Sequence, residues 1–156
     1  MNAFERIAVI GLGYIGLPTA TVFALAGKNV IGVDTNPDVV AKIQQGQTHF
    51  HEPNLSRAVQ QAVSSGNFLA TKKVQPADAF IIAVPTPFLA DHQPDLSYIQ
   101  RAIQAIAPVL RKGNLVVLES TSPVGTTEKI AEWLQQARPD LAIFPNSLDI
   151  DIAYCP

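Results

Sequence analysis

Three glycines, Gly11, Gly13 and Gly16, stand in a G-x-G-x-x-G spacing within VIGLGYIG, and Asp34 follows Gly16 by 18 residues. These residue types at this spacing suit the binding of a dinucleotide. Gly11 allows a tight turn, Gly13 lets the backbone approach a pyrophosphate, and Gly16 lets a helix pack closely on a strand. The helix that opens there offers unbonded N–H groups and the positive end of its dipole to phosphates. Tyr14 and Ile15, between the second and third glycines, complete the set expected to touch the cofactor. Asp34 stands where a carboxylate accepts both hydroxyls of an adenosine ribose. It would repel a 2′-phosphate, and no arginine follows within five residues to reverse that choice, so NAD is expected over NADP. The spacing taken alone is weak evidence; a strand before it and a helix after it give it meaning. The plain alternative is a glycine turn with Asp34 capping the next helix, and methyltransferases also combine a glycine loop with an acid after a second strand.

Two further clusters carry hydroxyls: VPTPF (84–88), with Thr86, and STSPVGTT (120–127), with Thr121. Each by itself reads as an ordinary turn. Both follow β-branched runs, however, and open α/β folds bind ligands at the carboxyl ends of their strands.

These residues need elements to position them. Short apolar runs alternate with helical patterns, as in βαβ units around a parallel sheet. Strands are expected at 6–10, 29–34, 68–72, 77–84, 114–120 and 149–154. Helices are expected at 14–27, 36–46, 55–66, 96–113 and 126–137. Gly27 and Gly46 end the first two helices, Asn36 and Pro37 begin the second, and Asp95 or Ser97 caps the fourth. Pro108 should kink or limit that fourth helix, and Trp133 is expected on the packed face of the fifth. Residues 138–148 carry no clear pattern. The fold class is α/β, a Rossmann-type doubly wound parallel sheet of six strands in the order 3-2-1-4-5-6. Strands 1, 4 and 5 are then neighbours, and the glycine loop, Thr86 and Thr121 line one crevice.

GLGYIGLPTA (11–20), EPNL (52–55), VPTPF followed by DLSYI (95–99), and ESTSPVGTT (119–127) resemble, in that order, the N-terminal domain of the UDP-glucose/GDP-mannose dehydrogenase family. The middle motif and the closing DIDIAYCP look most like the branch acting on UDP-N-acetylmannosamine. The resemblance implies a four-electron oxidation of a nucleotide sugar: a C6 alcohol becomes an aldehyde, a cysteine thioester and then a carboxylate, with two NAD reduced. It implies that Thr121 holds a catalytic water and that Asp34 and Thr86 contact NAD. It also implies a homodimer for full-length members. Many members carry Lys or Arg five residues after the ribose acid, where this chain has Val39.

The family's nucleophilic cysteine lies in a C-terminal half, and Cys155 does not match it. No Lys, Arg or His lies within ten residues of Cys155 to lower its pKa. It is expected instead as a small apolar filler at the end of a buried strand. Residues 1–156 are thus expected to form one NAD-binding domain, inactive without the family's catalytic domain. The alternatives are the NAD domain of a β-hydroxyacid dehydrogenase and a non-catalytic NAD-binding module.

Composition narrows the classes. Apolar residues make up 47% of the 156 and charged residues 15%, which disfavours disorder. The formal net charge is −2, without a basic stripe, so nucleic acid is not an expected partner. A single cysteine excludes an internal disulfide. No apolar run approaches the roughly 20 residues of a membrane span, and a cytoplasmic location is expected. His49 and His51 flank Phe50; without a third ligand they suggest solvated loop histidines rather than a metal site.

Overall fold

The computed structural model describes residues 4–90, 93–143 and 149–156. Six strands, β1 (Arg6–Ile10), β2 (Asn29–Val33), β3 (Phe68–Thr71), β4 (Ala79–Ile82), β5 (Asn114–Leu118) and β6 (Ile150–Tyr154), form one sheet in the order β3-β2-β1-β4-β5-β6. Every pairing between neighbouring strands is parallel. The expected order is the observed one.

Side-chain alternation divides the sheet into two cores. On one face Ile7, Val9, Val30, Phe68, Ala70 and Ile81 pack under α1 (Gly16–Leu25), α2 (Pro37–Gln44) and α3 (Leu55–Ser64). On the other, Ala8, Ile10, Ile31, Val33, Phe80, Ile82, Val116 and Leu118 pack under α4 (Ser97–Ile106) and α5 (Thr126–Ala137). β1 and β4 are buried on both faces beyond Arg6, which explains their unbroken apolar composition. Trp133 is half-buried against the second core, as its position on α5 suggests.

Helix boundaries follow local chemistry. Asn36 accepts the Asp38 N–H at 2.9 Å with Pro37 in the first turn, so α2 starts as expected. The fourth helix is shorter than expected: it ends at Ile106 and tightens into a 3-10 turn over Ala107–Val109. Pro108 lacks the N–H to continue the helical ladder. The carbonyls left at that end are met from outside, where Arg138 Nη1 donates to Ala107 O and Leu110 O, both at 2.8 Å. At the start of α4, Asp95 accepts the Ser97 N–H at 2.9 Å. The segment 72–78 runs from β3 to β4 without a helix. Of the unpatterned stretch 138–148, residues 144–148 lie outside the described residues.

The sheet's amino edge is tied by polar side chains. Asp78 Oδ2 accepts the Glu5 and Arg6 N–H groups at 2.9 and 2.8 Å. Buried Asn114 donates to Ala77 O at 3.0 Å and accepts the Arg111 N–H at 2.8 Å. These bonds set the register of β1, β4 and β5, and that register decides which residues meet at the carboxyl edge.

Candidate dinucleotide site

At that edge the chain leaves β1 as a loop wedged between β2 and β4. Gly11 donates its N–H to Val33 O at 2.8 Å, and Ala83 donates its own to Ile10 O at 2.8 Å. Gly11 has φ +93°, and a Cβ there would stand 2.6 Å from Ala83 O. A Cβ on Gly16 would stand 1.8 Å from Gly11 O, so the loop closes on itself only with hydrogen at that position. Gly13 is different: a Cβ there would meet nothing within 4 Å. The two outer glycines serve the loop's own packing, and the middle one faces open space.

Above that space the backbone presents donors. Among the described residues, the N–H groups of Gly13, Tyr14 and Ile15 have no protein acceptor. The first helical bonds run from Leu17 N–H to Gly13 O and from Thr19 N–H to Ile15 O, both at 3.1 Å. α1 has no acidic residue in its first turn to neutralise the positive end of its dipole. Tyr14 and Ile15 expose their side chains. Unbonded N–H groups beside a position where a Cβ would find only open space fit a pyrophosphate.

Asp34 follows β2 at the same edge. Its Oδ2 accepts the Leu12 N–H at 3.0 Å and its Oδ1 the Asn36 N–H at 2.9 Å. The carboxylate is thereby oriented by both loops, and its remaining lone pairs are those a ribose diol could use. This fits a nucleotide ribose beside the unbonded N–H groups of the glycine loop.

The two hydroxyl clusters meet. Thr86 donates its hydroxyl to Thr121 O at 2.7 Å, and Ser120 donates to Val84 O at 2.7 Å. The carboxyl ends of β4 and β5 are thus stapled together, with Thr86 and Thr121 in one crevice as the strand order requires. Gly11, Gly13, Tyr14, Ile15, Gly16 and Asp34 share the same edge of the sheet.

Two features were not foreseen. Glu119, at the end of β5, accepts the Thr19 hydroxyl at 2.9 Å, which ties α1 to β5 across β4. Its other oxygen, Oε2, is buried without a partner among the described residues. An acid directly before STSP and directly after an apolar strand was the available signal. The second is a groove of about 390 Å³ between α2 and the end of β3, lined by Pro37, Val40, Gln44, Thr71, Lys72 and Lys73 among others. It adjoins the Asp34 loop, since Asp34 donates its N–H to Thr71 O at 3.1 Å.

Two expectations need correction. Cys155 is exposed rather than a buried filler, because β6 is an edge strand and its last residues lose cover. Its backbone N–H still extends the ladder to Leu118 O at 2.9 Å. His49 is in a loop but not fully solvated: it is half-buried, its Nδ1 is enclosed without a partner among the described residues, and burial lowers its pKa, with Asp34 pulling it up and Lys42 down. His51 is exposed. Among the described residues no group of His, Cys, Asp and Glu could hold a metal, and no helix is long and apolar enough to cross a membrane.

Comparison with known proteins adds relatives to this geometry. The sequence model of the UDP-glucose/GDP-mannose dehydrogenase family, NAD binding domain, matches residues 5–156. The chain is 57% identical to the UDP-N-acetyl-D-mannosamine dehydrogenase of Yersinia pestis, over 99% of this chain and 37% of that protein. It is 58% identical to an NDP-N-acetyl-D-galactosaminuronic acid dehydrogenase of Ralstonia nicotianae, over 98% of this chain and 37% of that protein. The solved UDP-D-ManNAc dehydrogenase of Pyrococcus horikoshii is similar at TM-score 0.89 and 42% identity, over 97% of this chain and 36% of that one. The chain therefore spans about 37% of the length of the curated relatives it matches.

Proposed function

The chain belongs to the UDP-glucose/GDP-mannose dehydrogenase family, as its NAD-binding domain, and from that premise we propose that it holds NAD for the C6 oxidation of a nucleotide sugar, UDP-N-acetylmannosamine in the first instance. The observation that carries the cofactor reading is Asp34. Its carboxylate is held by the N–H groups of Leu12 and Asn36, beside the loop whose middle glycine faces open space. Each carboxylate oxygen keeps a lone pair for a ribose hydroxyl, and its charge disfavours a 2′-phosphate.

The remaining residues take roles by position. The Gly13, Tyr14 and Ile15 N–H groups bind the pyrophosphate at the positive end of α1. Gly11 and Gly16 keep the loop closed. Thr86 spends its proton on the Thr121 carbonyl, which leaves its oxygen as an acceptor and fixes the crevice wall. Thr121, on that wall, positions water at the reacting end. NAD, when bound, supplies the hydride acceptor. Cys155 has no part in the chemistry: it is exposed just beyond the edge strand β6 and does not match the family's nucleophilic cysteine. The thiol and the sugar-binding residues are assigned to a region outside the 37% of the relatives' length that residues 1–156 match. N-acetylated sugars are favoured because the relatives quoted above at 57 and 58% identity are named for them.

Calorimetric titration of the chain with NAD and with NADP tests the cofactor assignment. Saturable binding of NAD, with NADP weaker by tenfold or more, is expected; a folded chain that binds neither, or binds both alike, overturns it. NADH formation by residues 1–156 joined to the remaining part of a relative's sequence tests the activity. UDP-N-acetylmannosamine should outperform UDP-glucose, and the reverse order would move the assignment to another branch of the family.

A further inference from the structure

The segment between α2 and α3 returns from the amino edge of the sheet to the carboxyl edge and ends beside the glycine loop. It is anchored at both ends. Gln47 donates its N–H to Lys42 O at 2.9 Å, the hydroxyls of Thr48 and Ser56 share a hydrogen bond at 3.0 Å, and Leu55 donates to Glu52 O at 3.2 Å. Between the anchors stand two aromatic rings. Phe50 is half-buried against the core beneath α1, α2 and α3. Its ring meets that of Tyr14 with centroids 4.3 Å apart and planes inclined at 36°. His49 also meets the Phe50 ring, edge-on, with centroids at 4.7 Å and planes at 86°. Tyr14 otherwise projects outward, 73% exposed. Phe50 is the one ring partner recorded for Tyr14 among the described residues.

Tyr14 and Ile15 contribute two of the unbonded N–H groups of the cradle, and their backbone is not yet inside the regular helix. A ring pinned at 4.3 Å restricts the φ and ψ of the residue that bears it, and so the direction of those N–H groups. We propose that segment 47–51 is a further wall of the dinucleotide site, with Phe50 as a positioning residue: by packing on Tyr14 it holds the Tyr14 and Ile15 N–H groups where the phosphates meet them. The inference rests on the NAD reading above. Phe50 touches no ligand itself and acts through Tyr14; the aromatic pair pre-orders the loop, so less freedom is lost when the dinucleotide binds.

The test is a double-mutant cycle on NAD affinity by calorimetry, with Phe50→Leu, Tyr14→Leu and both together, each checked for folding by chemical denaturation. Leucine preserves apolar packing under α1–α3 and removes only the ring. Each single variant is expected to weaken NAD about three- to tenfold. The double variant should be no weaker than the weaker single, and Phe50→Tyr should restore wild-type affinity. Additive losses, or a Phe50→Leu protein that folds and binds NAD like wild type, overturn the proposal. A Phe50→Leu loss that Phe50→Tyr does not repair also overturns it, since the ring is then not what matters. A wild-type chain that binds no NAD sinks the cofactor reading instead, so the two failures are distinguishable.

Discussion

Gly13 and Gly16 stand three residues apart and answer to opposite demands. A methyl group on Gly16 would lie 1.8 Å from Gly11 O, a contact that must move backbone, whereas one on Gly13 meets nothing. Gly16→Ala should therefore lower the unfolding free energy by about 3 kcal/mol or more, seen in chemical denaturation. Gly13→Ala should leave stability within about 0.5 kcal/mol and weaken NAD by about tenfold, roughly 1.4 kcal/mol, because the methyl occupies the space of a phosphate. A Gly13→Ala chain that unfolds early would show that this glycine serves the loop and not a ligand. Asp34→Asn separates charge from shape. The amide still accepts one backbone N–H but no longer repels a 2′-phosphate, so NAD should weaken by about tenfold while NADP approaches NAD in affinity. An unchanged preference in paired titrations would remove Asp34 from the selectivity argument.

Among the bonds that join elements at the carboxyl edge is the Thr19–Glu119 bond, between residues 100 apart in sequence. It links α1 to the residue after β5 over an intervening strand, and the other carboxylate oxygen of Glu119, Oε2, is buried without a partner among the described residues. Thr19→Val keeps the shape and removes the donor, and should cost about 1–3 kcal/mol in denaturant unfolding; a loss near zero would mean that water replaces the hydroxyl. The connection between α2 and α3 carries a pH response. Burial holds the His49 pKa below its usual 6.5, so the folded chain resists the proton that the unfolded chain accepts. Stability is accordingly undiminished above pH 6.5, declines as pH falls from 6.5 towards the folded-state pKa, and declines no further on this account below it. Denaturation midpoints across that window should fall for the wild type and stay flatter for His49→Gln. Parallel curves for the two proteins would show that other groups carry the response.

At the scale of the whole molecule the candidate site is shared by the loops that follow four strands, β1, β2, β4 and β5, so a ligand there binds only the folded chain. NAD at a hundred times its dissociation constant should stabilise by about 2.7 kcal/mol, or about 5–10 °C in melting temperature for a domain of this size. A melting temperature unmoved by saturating NAD would contradict the assembled-site picture even if some binding were detected. NADP at the same concentration should raise it less. The same linkage should fade in Gly13→Ala, whose fold is intact but whose cradle is filled.

The sequence alone determined the sheet order and the helix alternation, because hydrophobic period and glycine spacing are local signals that the backbone must obey. It marked Gly11, Gly13, Gly16 and Asp34 for the same reason: a turn, a close approach and a strand-end acid each leave a residue-type signature. It placed Thr86 and Thr121 together only through the inferred strand order, and their 2.7 Å bond belongs to the tertiary structure. Burial was the weaker inference. Cys155 ends an apolar-looking strand yet is exposed, because edge position is a property of the sheet. His49 is a loop residue, yet it is half-buried with Nδ1 enclosed, and it feels the charges of Asp34 and Lys42, which the fold brings near it from earlier in the chain. Contacts such as Tyr14–Phe50 and Thr19–Glu119, 36 and 100 residues apart in sequence, leave no periodic trace. Only the folded chain decides them, since they depend on where helices land after the sheet has formed.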